Sequence, residues 1–295
     1  MSAIEHICLL GFGEVGQTLA ADFQAAGVTQ LTAFDLLFKD LESACARAAI
    51  EANVHVANSA TEAVAAVDLV VSAVTAAQDL AAARSVAGAM KPGAYFLDVN
   101  SVSPRVKTEC AALIDARGAR YVEAAIMSPI NPKGVGSPML FGGKHAAAFL
   151  PLAQALGFGG AEVFSEQIGR ASAAKMCRSV MIKGMEALLT ESLLSARHYG
   201  VESTVIDSLR NLFPAADWSQ LARYMISRSL VHGRRRAEEM REVVQTVRDA
   251  GLQPHMSAAC AERQDWAAGF PEAASIEELD TMLDAVLNRA QAEKT

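Results

Sequence analysis

The chain reads as an α/β protein: a doubly wound, largely parallel sheet in its N-terminal half, then an all-α half built on one long helix. Three observations predict this. Short apolar runs alternate with helical stretches from residue 4 to about residue 156. The runs are almost continuously apolar, as expected of strands covered on both faces. From Gly169 onward strand signals vanish and only helical spacing remains. With 295 residues, 52% apolar and 20% charged, the chain has the length for two domains and the material for two cores. The change of pattern between about 160 and 170 divides it into residues 1–165 and 166–295.

The elements follow in order. Ile4–Leu10 forms a strand that ends in Gly11-Phe12-Gly13-Glu14-Val15-Gly16. A helix then runs to about Ala26 and is closed by Gly27. Leu31–Phe34 is the second strand, ending at Asp35. The rhythm repeats with a helix near 40–52, a strand at Val54–Val56, a helix near 60–66, a strand at Leu69–Val74 and a helix near 76–89. Lys91-Pro92-Gly93 turns into Tyr95–Val99, and Pro104 opens a helix to about Ala116. After Tyr121-Val122-Glu123 comes a loop rich in Pro, Gly and Ser, Ser128 to Pro138. Met139–Phe141 reads as a strand stopped by Gly142-Gly143, and 145–156 as a helix. Residues 171–199 hold no Pro and a single Gly, Gly184, with Met176, Val180, Met185, Leu188, Leu189 and Leu193 at helical spacing; 29 residues make a helix about 43 Å long. Helices near 203–212, 217–230, 233–250, 256–267 and 275–292 complete the chain.

Lys and Arg total 26 against 33 Asp and Glu, a formal charge of −7, which argues against a nucleic-acid coat because phosphates need a basic face. The run Arg234-Arg235-Arg236 is followed at once by Glu238 and Glu239 and is local. No uncharged apolar stretch reaches about 18 residues, so no membrane span is expected, and no secretory signal is read at the N-terminus. Five scattered cysteines, odd in number and never in a CxxC pair, fit reduced thiols in the cytoplasm. The histidines form no metal-ligand spacing, and no metal is expected.

The glycines at 11, 13 and 16 follow a strand, open a helix and lie in the first βαβ unit, which is the setting that turns a weak GxGxxG match into a dinucleotide site. The first allows the tight turn, the second lets backbone approach a pyrophosphate, and the third permits close helix–strand packing. The helix start offers free N–H groups and a partial positive charge. Phe12, Glu14 and Val15 complete the loop. Asp35 lies 19 residues after Gly16, where a carboxylate accepts from ribose hydroxyls; the next residues are Leu36-Leu37-Phe38, with no Arg for a 2′-phosphate. NAD is therefore favoured and NADP disfavoured. A plain strand–turn–helix with a capping acid is the competing account.

Lys175 opens the long helix among Ala171, Ala174 and Met176. Burial there would lower its pKa towards proton exchange near neutrality; a surface lysine is the alternative. At the end of the strand Tyr95–Val99, Asn100 and Ser101 are the residues expected to face a cofactor ring, and Val74 is grouped with them. Ser103 reads as the N-cap before Pro104. His232 and Arg234–Arg236 form either a solvated face or a cationic rim for an anionic substrate. Met176, Met181 and Met185 read as core.

Together, Gly11–Gly16, Asp98-Val99-Asn100-Ser101-Val102-Ser103-Pro104, Phe141-Gly142-Gly143 and the lysine-bearing helix resemble the β-hydroxyacid dehydrogenase superfamily, which includes 3-hydroxyisobutyrate and 6-phosphogluconate dehydrogenases. The resemblance covers nearly the whole chain. It implies an N-terminal Rossmann domain, an all-helical second domain that often exchanges contacts with another subunit, and Lys175 as general acid/base during hydride transfer. The family's substrate loop, Asp-Ala-Pro-Val-Ser-Gly-Gly, is here Glu123-Ala124-Ala125-Ile126-Met127-Ser128-Pro129, so the substrate-binding serine falls at Met127, with Ser128 one step on. The family's Asn four residues after the lysine is Ser179, beside Arg178. A downstream Lys-Asp pair falls at Glu238-Glu239. The segments Arg170–Met185 and His232–Glu262 are more similar to a branch whose C-terminal domain has no assigned function.

The resulting expectation is an NAD-dependent oxidoreductase acting on a small hydroxylated or aromatic hydroxy acid. Lys175 transfers the proton, Ser101, Met127, Ser128 and Ser179 line the substrate, and Arg178 and Arg235 take its anionic group. An NADPH-dependent imine or ketone reductase and a non-catalytic dinucleotide-binding protein are the alternatives. A homodimer is expected, because an apolar helix of 29 residues rarely finds cover within one small domain.

Overall fold

The structure is a computed structural model and describes residues 4–209, 214 and 217–292. The chain divides into two compact units, Met1–Met176 and Cys177–Thr295, so the division falls inside the long helix and not in the connection before it.

Strand residues in the first unit alternate between two apolar faces, which is why the runs are unbroken in the sequence. Ile7, Leu9, Leu31, Ala33, Leu69, Val71 and Leu97 point into one core, and Cys8, Leu10, Val70 and Phe96 into another. The strands are β1 His6–Leu10, β2 Gln30–Phe34, β3 His55–Val56, β4 Leu69–Ser72, β5 Tyr95–Asp98, β6 Arg120–Ile126, β7 Met139–Gly142 and β8 Ala161–Ser165. They form one sheet in the order β3-β2-β1-β4-β5-β6-β7-β8. All neighbours are parallel except β6 and β7, which run antiparallel. The order reverses at β1, and beyond the carboxyl ends of β1 and β4 lies the crevice where such sheets bind ligands.

Helices α1 Glu14–Ala25, α2 Ala44–Glu51 and α6 Ala146–Ala155 cover the first face, and α3 Ala60–Val64, α4 Asp79–Val86 and α5 Pro104–Asp115 the second. Ser43 and Ser59 cap α2 and α3 by accepting from Ala46 N and Glu62 N. Ser103 stands at the N-cap position of α5 with Pro104 next, as expected, but its side chain makes no capping bond. Three expected elements are shorter than read: the fourth strand stops at Ser72, which leaves Val74 in the following turn, the third strand keeps only two residues, and the helix near 76–89 is a 3₁₀ turn followed by α4.

Helix α7, Arg170–His198, spans the division between the units. In the second unit it is joined by α8 Glu202–Leu209, α9 Trp218–Asp249, α10 His255–Ala267 and α11 Leu279–Ala292. Leu189, Leu193, Trp218, Ile226, Leu230, Phe270, Met282 and Leu283 form the core there. The helices expected at 217–230 and 233–250 are one continuous α9. Gly233, which looks like a breaker, is a crossing point: a Cβ there would meet Gln264 O of α10 at 2.3 Å. Residues 210–212 of the helix expected at 203–212 lie outside the described residues.

Candidate functional site

The glycine loop has the form its spacing implies. Gly11 adopts φ +89°, and a Cβ there would press on Ala73 O at 2.4 Å and Val74 Cγ1 at 3.1 Å, so the ends of β1 and β4 touch. A Cβ on Gly16 would meet Gly11 O at 2.3 Å, whereas Gly13 faces open space with nothing within 4 Å. Two glycines are thus demanded by packing, and the middle one leaves the loop bare. Helix α1 carries no side-chain cap at Gly13, so its first N–H groups are left for an anion. Glu14, exposed beside them, has its Oε1 3.3 Å from Asn131 Nδ2 of the 127–138 loop.

Asp35 ends β2 with its carboxylate held by backbone: Phe12 N donates to Oδ2 at 2.8 Å and Leu37 N to Oδ1 at 2.9 Å. Both bonds aim a half-exposed acid at the mouth of the glycine loop while leaving lone pairs for hydroxyl donors. Bare loop, uncapped helix and fixed acid together fit the ADP half of a dinucleotide.

On the other side of β1 a polar cluster is sealed inside the unit. Ser72, Asp79, Asp98, Lys107 and Tyr121 are buried. Lys107 Nζ lies 2.7 Å from Asp98 Oδ1 and donates to Asp98 O at 3.0 Å. Tyr121 OH donates to Asp98 Oδ2 at 2.6 Å. Asn100, expected to face a cofactor ring, turns inward instead. Its Nδ2 lies 2.9 Å from Ser72 Oγ, 2.7 Å from Asp79 Oδ1 and 2.9 Å from Asp98 Oδ1, and its Oδ1 is buried with no partner. Burial and the neighbouring Asp98 push the Asp79 carboxyl well above the usual carboxylate range. Burial alone would lower Lys107, but Asp98 and Asp79 outweigh it and hold the ammonium above its ordinary value. Asp79, Asp98 and Cys110 offer ligand atoms within 4.8 Å of one another, yet the Lys107 ammonium already supplies the cation there. Ser101 and Val74 remain half-buried at the surface of these turns.

Sequence reasoning passed over Asp79, Lys107 and Tyr121, although a signal existed. Lys107 precedes Cys110, Ala111 and Ile114 by three, four and seven residues, so a lysine stands in the buried stripe of α5.

The start of α7 is also fixed from within the first unit. Glu123, fully buried and paired in register with Asp98, accepts from Gly169 N at 2.7 Å and Ser172 N at 2.5 Å. Gly142 makes room, since a Cβ there would come 2.7 Å from Glu123 Oε2, and a Cβ on Gly169 would meet Pro104 Cβ at 3.1 Å. Lys175, half-buried, follows Ser172 by one turn. Met127 and Ser128 are half-buried after β6, and Ser128 Oγ donates to Pro129 O.

In the second unit Arg235 and Arg236, from the segment read as either a solvated face or a cationic rim, form ion pairs. Arg235 pairs with Glu239 at 2.7 Å, Arg236 with Glu186, and Lys183 with Glu239. Burial raises Glu186 and Arg236 opposes it. Arg178 is exposed and Ser179 buried. Met176 is core as read, but Met181 is exposed.

Sheet order, glycine loop and fixed acid define a dinucleotide-binding α/β domain of the Rossmann kind, continued by a helical domain. The chain belongs to the family described as the NAD binding domain of 6-phosphogluconate dehydrogenase, whose model matches residues 6–168. Residues 196–267 match a second family, described as a domain of unknown function. A conserved hypothetical protein from Sinorhizobium meliloti 1021 is 34% identical with a TM-score of 0.73, over 98% of this chain and 97% of that one. An uncharacterised 28.5 kDa protein of Methanothermus fervidus is 28% identical over 85% of this chain and 94% of its own length. The fold is shared with a Mycobacterium tuberculosis 3-hydroxyisobutyrate dehydrogenase solved with L-serine, at 19% identity and a TM-score of 0.70 over 98% and 99% of the two chains.

Proposed function

We propose that this chain is an NAD-dependent oxidoreductase that moves a hydride between the cofactor and the carbinol carbon of a small anionic hydroxy acid, with Lys175 exchanging the hydroxyl proton. The start of α7 carries the proposal. Glu123, in register with Asp98 at the carboxyl end of β5, and the closeness of Gly169 to Pro104 at the start of α5 fix the start of that helix, which supports reading Lys175, one turn further on, as a residue of the ligand-binding edge. Bound there, the dinucleotide supplies a two-electron acceptor or donor. Gly11, Gly13, Gly16 and the α1 N-terminus would hold its pyrophosphate and Asp35 its adenosine ribose; a 2′-phosphate would meet the Asp35 carboxylate, which favours NAD. Lys175 takes the hydroxyl proton during oxidation and returns it during reduction, sparing the site an alkoxide.

Ser101, Met127 and Ser128 would border the reacting carbon. Arg178, three residues beyond Lys175 and exposed, is preferred over Arg235 as partner of the substrate's anionic group, because Arg235 already binds Glu239. No helix among the described residues is long and apolar enough to cross a membrane; a cytoplasmic setting belongs to the same proposal and accords with five free cysteines.

The test combines calorimetric binding of NADH and NADPH with an NAD-reduction screen over 2- and 3-hydroxy acids. NADH should bind more tightly, and Lys175→Ala should lower turnover by about 10²–10⁴-fold while NAD binding persists. Undiminished turnover in Lys175→Ala, turnover only of cyclic imines with NADPH, or binding with no turnover at all would each overturn the proposal.

A further inference from the structure

The buried cluster beneath Asn100 is costly, and its cost calls for a purpose. A lysine and two acids are withdrawn from water in one place, where an apolar set of similar volume would often be as stable. Each member closes a particular gap. The Asn100 amide nitrogen reaches Ser72 at the end of β4 and Asp79 at the start of α4, so it ties both ends of the turn 73–78. Lys107 reaches the carbonyl and carboxylate of Asp98, so it ties α5 to the end of β5 across the turn 99–103. Tyr121 adds β6 through its bond to Asp98. Turn 73–78 in turn abuts the glycine loop, where Ala73 O and Val74 Cγ1 crowd Gly11.

The strand order says what these turns face. Asp35 marks β2 as the adenosine side of β1, and β4 and β5 lie on the other side. A dinucleotide laid across the reversal point extends its second half over the ends of β4 and β5. Resting on the reading that the chain binds NAD, we propose that the Asn100-centred cluster of Ser72, Asp79, Asp98, Lys107 and Tyr121 is a positioning device for the nicotinamide half. It sets the shape of turns 73–78 and 99–103 before the cofactor arrives and touches no reacting atom itself. Preorganised turns spare binding the loss of loop freedom, and the benefit falls only on ligand groups that lie against those turns. Asp79 Oδ1 accepts from Asn100 Nδ2 at 2.7 Å, and an amide oxygen at that position offers the same acceptor.

The experiment measures, on the full chain, calorimetric affinities for NAD and for ADP-ribose, which lacks the nicotinamide ring. Asn100→Ala should weaken NAD about tenfold and leave ADP-ribose within about twofold of wild type, since the nicotinamide ring, the one part ADP-ribose lacks, is the part that rests on the clamped turns. Asp79→Asn should keep both affinities, and Asp79→Leu should reproduce the selective loss. Should Asn100→Ala fail to fold, Ser72→Ala removes one acceptor and should show the same split, smaller in size. Equal weakening of both ligands would mark the cluster as general scaffolding, and unchanged NAD affinity in Asn100→Ala would leave it no part in binding; either overturns the inference. Wild-type protein that binds neither ligand would instead overturn the dinucleotide reading beneath it.

Discussion

Asp79 shows how one buried proton links the fold to pH. Its carboxyl sits in the interior against Asp98, and both burial and that neighbour favour the protonated form in the folded state. The unfolded chain releases this proton near the ordinary carboxyl range, about pH 4. Between there and the higher folded value the folded state binds more protons than the unfolded one, so this group's contribution to stability declines as pH rises. Asp79→Asn keeps the shape and the hydrogen bonds and removes the titration. Relative to wild type, the variant should therefore gain stability with rising pH, by at most about 1.4 kcal/mol per pH unit, the limit for one proton. Urea unfolding at several pH values from 5 to 8 checks this. Parallel stability profiles would mean that Asp79 is ionised in the fold and that Lys107 offsets two charges.

At the scale of elements, α7 begins where Glu123 places it. The carboxylate satisfies two of the N–H groups that any helix start leaves open. Glu123→Ala should strand them in the interior, at about 1–3 kcal/mol for each buried group left unsatisfied. Hydrogen exchange at Gly169 and Ser172 should accelerate together, whereas unaltered exchange would show that water or other side chains already serve those amides. Gly142→Ala should do the same more weakly by displacing the carboxylate.

Elements with strong periodicity were readable from sequence, and those whose character depends on distant partners were not. The glycine loop, Asp35 and the span of α7 follow from local rules. Strand β8 escaped because its middle residues Glu162, Val163 and Phe164 are exposed at the sheet edge, so it lacks the unbroken apolar run of its neighbours. Helix α9 reads in the sequence as two helices, 217–230 and 233–250, but it is continuous, and the reason for Gly233 inside it lies in α10. Asn100 lies two residues past the end of β5, where local rules expect it to face a cofactor ring. The inward turn of its amide depends on Ser72 and Asp79, which lie 28 and 21 residues earlier in the chain. The partners of Arg235 and Arg236 show the same limit: Glu239 is a local neighbour at i+4, while Glu186 lies 50 residues away on α7.

For the whole molecule, the helical unit presents more apolar surface than one copy covers. Helices α7 and α9 run antiparallel there, joined by Lys183–Glu239 and Arg236–Glu186. Each buries one apolar stripe in the unit's core: Leu189 and Leu193 on α7, Ile226 and Leu230 on α9. Each also carries two large apolar side chains in water, two turns apart. Met181 and Leu188, seven residues apart, are 64% and 56% exposed, and Tyr224 and Val231, again seven apart, are 50% and 55% exposed. Residues at that spacing share a helix face, and a helix apolar on two faces is built for two neighbours. Exposed apolar surface, where it is contiguous, marks association sites in soluble proteins. We propose that a second copy of the chain covers these side chains. Wild type should sediment as a dimer at micromolar concentration. Leu188→Glu with Val231→Glu should yield monomers with undiminished helical circular dichroism, because neither residue belongs to the core. A wild-type chain that stays monomeric at tens of micromolar, or a double variant that remains dimeric, would place the partner of these side chains elsewhere.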